Sequence, residues 1–186
     1  VLLVLNNNLF VFCDDEFSPF NNQVLNGALV HVKGGSDPVV ERTGRLLKER
    51  MRSVISALPW NLPVELIPEL VTYVVSMVNW VPRGSGVGAA ARELFIGRKL
   101  NYAELSLAFG DYVQCYDKNI KRKNSITEPR SNGCIAIRSM FNGSGTWRFY
   151  NPATKACWHA NKWNALPTPV EVIARMNDIA GESREL

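Results

Sequence analysis

The hydrophobic period of this 186-residue chain changes from helical to strand-like, and that change constrains its fold more than any other feature. From Pro38 to about Val81 apolar residues recur at three- and four-residue steps, whereas from Phe109 to Trp163 they come in short runs rich in Val, Ile, Tyr, Phe and Trp. Helices gathered in one stretch and short strands in another read as α+β rather than as alternating βαβ units.

Ser36-Asp37-Pro38 is a helix start, because a polar side chain can cap the free amides and proline suits the first helical position. The helix is predicted over 38–57, with Val40, Leu47, Met51, Val54 and Leu58 as its core stripe. Glu41, Arg45, Lys48 and Arg52 follow at steps of four, three and four, which keeps them within roughly 60° on another face. Pro59 and Pro63 bracket a turn, and a second, more apolar helix is predicted over 63–81, then a Gly-rich linker over 82–88 and a short helix over 89–95. Before all of these, Val1–Leu5 and Leu9–Cys13 read as two strands or a hairpin, and Ala28–Val32 as a third strand.

Strands are predicted over 112–116, 134–140, 146–150 and 155–163, separated by Asn132-Gly133, Asn142-Gly143 and Asn151-Pro152. This pattern suggests a small barrel. A basic loop, Asp117–Arg130, carries Lys118, Lys121, Arg122, Lys123 and Arg130 against Asp117 and Glu128. Pro167 and Pro169 introduce a last helix over 170–180. The expected division is a first unit over 1–100, a small β-rich unit over 105–167, and a C-terminal helix and tail over 168–186.

Twenty-one Lys and Arg against 17 Asp and Glu give a net charge of +4, compatible with a polyanionic partner but too small to demand one. Four Cys and two His show no paired metal spacing and no CxxC, so the expectation is reduced thiols in an intracellular protein without a zinc site. The first apolar run is broken by Asn6, Asn7 and Asn8 and has no basic leader, so neither a signal peptide nor a membrane span is expected there. Its start inside a strand suggests a piece of something longer.

Three groups of residues could carry chemistry. Asp14 or Asp15 at a strand end and Glu41 in the first turn of the basic helix could together hold Mg²⁺ or Mn²⁺ through hard oxygen ligands. A two-metal site of that kind supports phosphoryl transfer by activating an attacking oxygen and stabilising a leaving one. Equally, Glu41 can serve the positive end of its helix and pair with Arg45, while Asp14 and Asp15 cap a turn. Arg45, Lys48 and Arg52, reinforced by Arg42 and Arg50, could hold a phosphate backbone or simply face water. Trp147, Arg148, Tyr150, Trp158, His159, Lys162 and Trp163 could stack on bases, although strand alternation sends about half of these rings inward.

The run Pro38-Val39-Val40-Glu41-Arg42, continuing through Lys48-Glu49-Arg50 and Arg52 to Leu58-Pro59-Trp60, resembles the "VPxxER…KER.R…LPF" segment of copia-like retrotransposon Pol polyproteins. There the segment is the last conserved part of the integrase catalytic core. Arg92–Tyr102 resembles the "PRELFTGRKIDY" block and Phe109–Gln114 the "FGDYVQ" block that follows it; Phe149-Tyr150-Asn151 and Trp163–Pro167 continue the likeness towards Val172-Ile173. The likeness spans roughly residues 14–180 in the same order. It implies a partial RNase H-like core of short strands and two long helices, then a small β-barrel and a C-terminal helix.

The resemblance further implies a metal-dependent polynucleotidyl transferase acting in DNA integration, with Asp14 and Glu41 as catalytic and metal-binding carboxylates. Arg45, Lys48 and Arg52, with Lys121, Arg122 and Lys123, become the DNA-binding cations. The implied partners are DNA and either the rest of the integrase or a second copy, with no membrane and no small-molecule substrate, and the implied location is nuclear. The chain also departs from the family. Nothing in Val1–Cys13 supplies the first catalytic Asp, Asp14 and Glu41 are only 27 positions apart, and Ser36-Asp37 stands where the family often has His. Lacking one ligand of three, the chain is expected to be inactive alone, a segment of an integrase or a non-catalytic nucleic-acid- or protein-binding relic of it.

Overall fold

The computed structural model is α+β. Strands β1 (Leu2–Leu5), β2 (Asn8–Cys13) and β3 (Leu29–His31) precede helix α1 (Pro38–Ala57). A 3-10 turn at Val64–Leu66 leads into α2 (Ile67–Trp80), followed by α3 (Ala91–Ile96) and a 3-10 turn at Tyr102–Leu105. Then come β4 (Tyr112–Tyr116), β5 (Ser131–Ser139), β6 (Trp147–Asn151), β7 (Ala156–Ala160), β8 (Trp163–Ala165) and α4 (Val170–Glu182). The structure describes the backbone of residues 2–5, 8–13, 29–31 and 38–40, and residues 41–82, 88–116 and 130–183 with their side chains. Contacts divide the chain into a unit of Val1–Arg50 with Val74–Leu100 and a unit of Met51–Tyr73 with Asn101–Leu186.

In the first unit the strands form one sheet in the order β1-β2-β3. β1 runs antiparallel to β2, Leu5 facing Asn8, whereas β3 runs parallel to β2 with Cys13 facing His31. A parallel pair brings the carboxyl ends of both strands to the same edge of the sheet. α3 stops at Gly97, whose φ of 71° is the left-handed cap conformation that an L side chain resists. The guanidinium of Arg92 lies 5.6 Å from the Trp80 ring, a cation–π contact that ties α3 to the end of α2.

The second unit is built on a five-stranded, wholly antiparallel sheet in the order β7-β6-β5-β4-β8. Alternation puts Val113 and Cys115 of β4, Cys134 and Ala136 of β5, and Trp147 and Phe149 of β6 into one buried cluster. Large rings meet small partners: Phe149 faces Ala136, and Trp147 faces Ser139 on one side and Ala160 on the other. The opposite face of β5 is buried too, since Ile135 and Ile137 are fully inaccessible.

The register of β5 against β6 shifts between Ala136 and Arg138. Strict alternation would aim Arg138 into the apolar cluster; the one-residue bulge turns it to the other face, opposite Arg148. Like charges directly opposite repel. Glu69 of α2 resolves the repulsion, one carboxylate oxygen lying 3.1 Å from Arg138 Nε and the other 2.8 Å from Arg148 Nε. One turn earlier the Tyr150 hydroxyl donates to Glu65 Oε1 at 2.7 Å. These bonds explain why residues 51–73 belong with a sheet that follows them in sequence.

β7 and β8 are separated in sequence only by Asn161 and Lys162, yet they lie at opposite edges of the sheet. Five flat strands would hold those edges about 19 Å apart, whereas so short a link spans about 10 Å, so the sheet coils strongly. Gly110 lies just before β4 with φ of 96°, and its N–H donates to Ala136 O at 2.9 Å. An added Cβ would collide with Leu58 Cδ2. The Leu58 methyl can swing aside but the backbone strain stays, so Gly110→Ala is expected to cost about 1–3 kcal/mol in urea unfolding. A change below about 0.5 kcal/mol contradicts that account.

Burial raises the Tyr73 hydroxyl, with a smaller contribution from the Asp111 charge, and burial with the Glu65 hydrogen bond raises Tyr150 well above the ordinary tyrosine range. A raised folded-state pKa gives stability that is complete below the unfolded value near 10 and is lost as pH climbs through the folded one. The urea midpoint is therefore expected to fall as pH rises past about 10, and to fall less steeply in Tyr150→Phe. A parent midpoint that stays level to about pH 12 would count against this reading.

Candidate nucleic-acid interface

α1 displays Glu41, Arg42, Arg45, Lys48, Arg50 and Arg52 to solvent, while Leu47, Met51 and Val54 are half-buried on its apolar stripe. Arg45, Lys48 and Arg52 thus form an exposed cationic ladder on one helix, and charges so arranged are of the kind that suits phosphates rather than base edges. Glu41, in the first turn, is the one predicted metal ligand among the described residues. Asp14, Asp15, Lys118, Lys121, Arg122 and Lys123 lie outside the described residues. Among the described residues no group of three or more His, Cys, Asp or Glu is placed to hold a metal, and no helix is long and apolar enough to cross a membrane.

The aromatic and basic residues of the sheet divide between core and surface. Trp147 and Tyr150 are buried, and Arg148 is engaged by Glu69, with His159 Nε2 lying 3.5 Å from its Nη1. Trp158 is half-buried, its indole N–H donating to Cys134 Sγ at 3.3 Å. Trp163 is also half-buried, edge-on to Trp147 with centroids 6.5 Å apart. Lys162 is exposed. Cys115, Cys134 and Cys157 form no disulfide; the hydrogen bond to Cys134, followed by burial, pushes Cys115 far above the usual thiol range. Burial likewise raises Cys157, although its side chain reaches the surface. Neither thiol has the depressed pKa of a nucleophile.

Sequence reasoning missed an open cleft of about 860 Å³ beside β4 and β8. It is lined by Tyr116, Trp163, Arg130, Lys162, Gln114 and Asn164, together with small residues of the β5–β6 loop and of the turn at 102–106. The strand register explains the grouping: Gln114 faces Asn164 across β4 and β8, and the Tyr116 N–H donates to Lys162 O at 3.1 Å. Alternation was the available signal, because Val113 and Cys115 point inward and Gln114 and Tyr116 must then point out. The fully buried Glu104 steadies the cleft wall, its Oε1 accepting the Gly143 N–H at 2.8 Å and so tying the 3-10 turn to the β5–β6 loop.

A smaller cavity of about 480 Å³ lies among Met51, Ile55, Trp60, Ile67 and Leu70, closed at one side where the Asn61 N–H donates to Asn177 Oδ1 at 2.7 Å. Its lining is mostly apolar, with no acid–base pair. Comparison with protein-family models and with curated proteins gives no match to this chain.

Proposed function

We propose that the chain is a segment of a copia-like retrotransposon integrase that binds DNA through α1, strand transfer in DNA integration belonging to the intact parent. The observation that carries the reading is the exposed ladder of Arg45, Lys48 and Arg52, which begins one turn after Glu41 on a helix that opens at Pro38. The family likeness assigns the same residues to the DNA-facing helix of an RNase H-like core. Two further features support it. β3 runs parallel to β2, which ends at the residue before Asp14, as expected of a sheet that gathers carboxylates at one edge. The strongly coiled five-stranded sheet suits the small barrel that follows such a core.

In this reading Asp14 and Glu41 are the carboxylates that would hold Mg²⁺ or Mn²⁺ in the parent, positioning a hydroxyl for attack on a phosphodiester. The cations of α1 act without metal, by replacing the counterions of the DNA backbone. Arg45→Ala/Lys48→Ala is expected to weaken duplex DNA binding about tenfold in fluorescence anisotropy, by roughly equal factors on unrelated sequences. Glu41→Gln should leave binding unchanged or slightly tighter. Undiminished binding by the double variant would refute the assignment to α1.

A further inference from the structure

We propose that the cleft beside β4 and β8 is a binding site for single-stranded nucleic acid, distinct from the duplex-binding surface assigned to α1. Its chemistry is more selective than a basic patch. Tyr116, 45% exposed at the end of β4, offers a ring, and the half-buried Trp163 on the neighbouring strand is also among the lining residues. Aromatic surface of this kind stacks on any unpaired base, whereas the bases of a duplex have no free face to give. Arg130 and Lys162 supply two cations, and among the described residues no Asp or Glu lines the cleft.

The side chains of Gln114, Asn164 and Asn161 decide between partners. Each carries a donor and an acceptor, which suits the mixed edges of bases; an acidic peptide would ask for donors alone. One of these amides is held in place. Gln114 Nε2 donates to the Tyr112 hydroxyl at 2.8 Å, which fixes its orientation and leaves its carbonyl oxygen to accept. Tyr112 is itself buried, and β8 is locked to β4 by the Tyr116 to Lys162 and Leu166 to Tyr112 backbone bonds, both 3.1 Å. The cleft is therefore rigid where it touches a base, and its volume lies within the roughly 300–1,000 Å³ of ligand clefts.

The test is anisotropy at low salt with two fluorescent probes, an oligothymidylate of about 12 nucleotides and a duplex, on the whole chain. Tyr116→Ala is expected to weaken oligothymidylate binding about tenfold, and Tyr116→Phe, which keeps the ring, to stay within about twofold of the parent. Arg130→Ala/Lys162→Ala should weaken it as well and flatten its salt dependence. Tyr116 is exposed and both cations are at the surface, so unchanged melting curves confirm that the variants fold. Tyr116→Ala should leave duplex binding alone, and Arg45→Ala/Lys48→Ala should leave oligothymidylate binding alone. If the α1 variant abolishes both and the cleft variants neither, the cleft proposal fails while the α1 reading stands. If oligothymidylate does not bind the parent, or if oligoglutamate binds in its place, the cleft proposal also fails.

Discussion

Phe149→Ala is expected to lose about 3–5 kcal/mol of folding stability. Phe149 is fully buried on β6, the strand flanked by β5 and β7, and its ring occupies the space left by Ala136 on one side while Trp158 covers the other. Trp147 is fixed between Ser139 and Ala160 and packed edge-on to Trp163, and Val113, Cys115 and Cys134 are too short to reach across. Phe149→Leu keeps most of the volume and should cost under about 1.5 kcal/mol. Urea unfolding of both variants checks the packing, and a loss below about 1 kcal/mol for the alanine variant would show that the cluster collapses around the gap.

Glu69→Ala comes next, at about 2–4 kcal/mol. The carboxylate separates two guanidiniums that the bulge in β5 has brought face to face, with Arg138 and Arg148 only 22% and 26% exposed. Partial exposure lowers the figure below that for a fully buried pair. Removing Glu69 leaves two half-buried cations repelling each other, which differs from losing one surface bridge. Arg148→Met in the Glu69→Ala background should therefore restore part of the loss. If the double variant is less stable than Glu69→Ala by the full cost of Arg148→Met alone, the two residues are uncoupled and the account of the bulge is wrong.

Much of the local structure was legible because local chemistry decides it. A proline that suits the first helical position marks the start of α1 at Pro38, and Asn142-Gly143 and Asn151-Pro152 fall at the two ends of β6, whereas the expected turn at Asn132-Gly133 is part of β5, which begins at Ser131 and pairs with β4 through both residues. The expected strand over 155–163 is instead two, β7 and β8, because Asn161-Lys162 turns the chain from one edge of the sheet to the other. That turn has no Gly or Pro to announce it. The 3-10 turn at 102–105 was likewise unmarked, apart from Asn101, whose side chain accepts the Ala103 N–H at 3.0 Å.

Long-range partners were the least legible. Arg148 and Tyr150 read as members of an aromatic and basic surface, yet they face Glu69 and Glu65, and Tyr150 and Glu65 are 85 positions apart. A helical i,i+4 pair of carboxylates such as Glu65 and Glu69 reads equally well as a solvated face. The cleft was hidden for a related reason: Tyr116, Arg130 and Lys162 are scattered in sequence, and the pairing of β4 with both β5 and β8 collects them. By contrast the cations of α1 were legible in full, since helical spacing alone puts Arg45, Lys48 and Arg52 together and the structure leaves all three exposed.

The salt dependence of duplex binding by the unaltered chain tests the central claim most directly. If the α1 cations replace counterions on the DNA backbone, log K should fall linearly with log salt at a slope near −0.9 per phosphate contact, about −3 for the ladder of Arg45, Lys48 and Arg52. The slope should become shallower by about two contacts in Arg45→Ala/Lys48→Ala. Binding that ignores salt, or no duplex binding at low salt, would contradict the reading of this chain as a DNA-binding integrase segment.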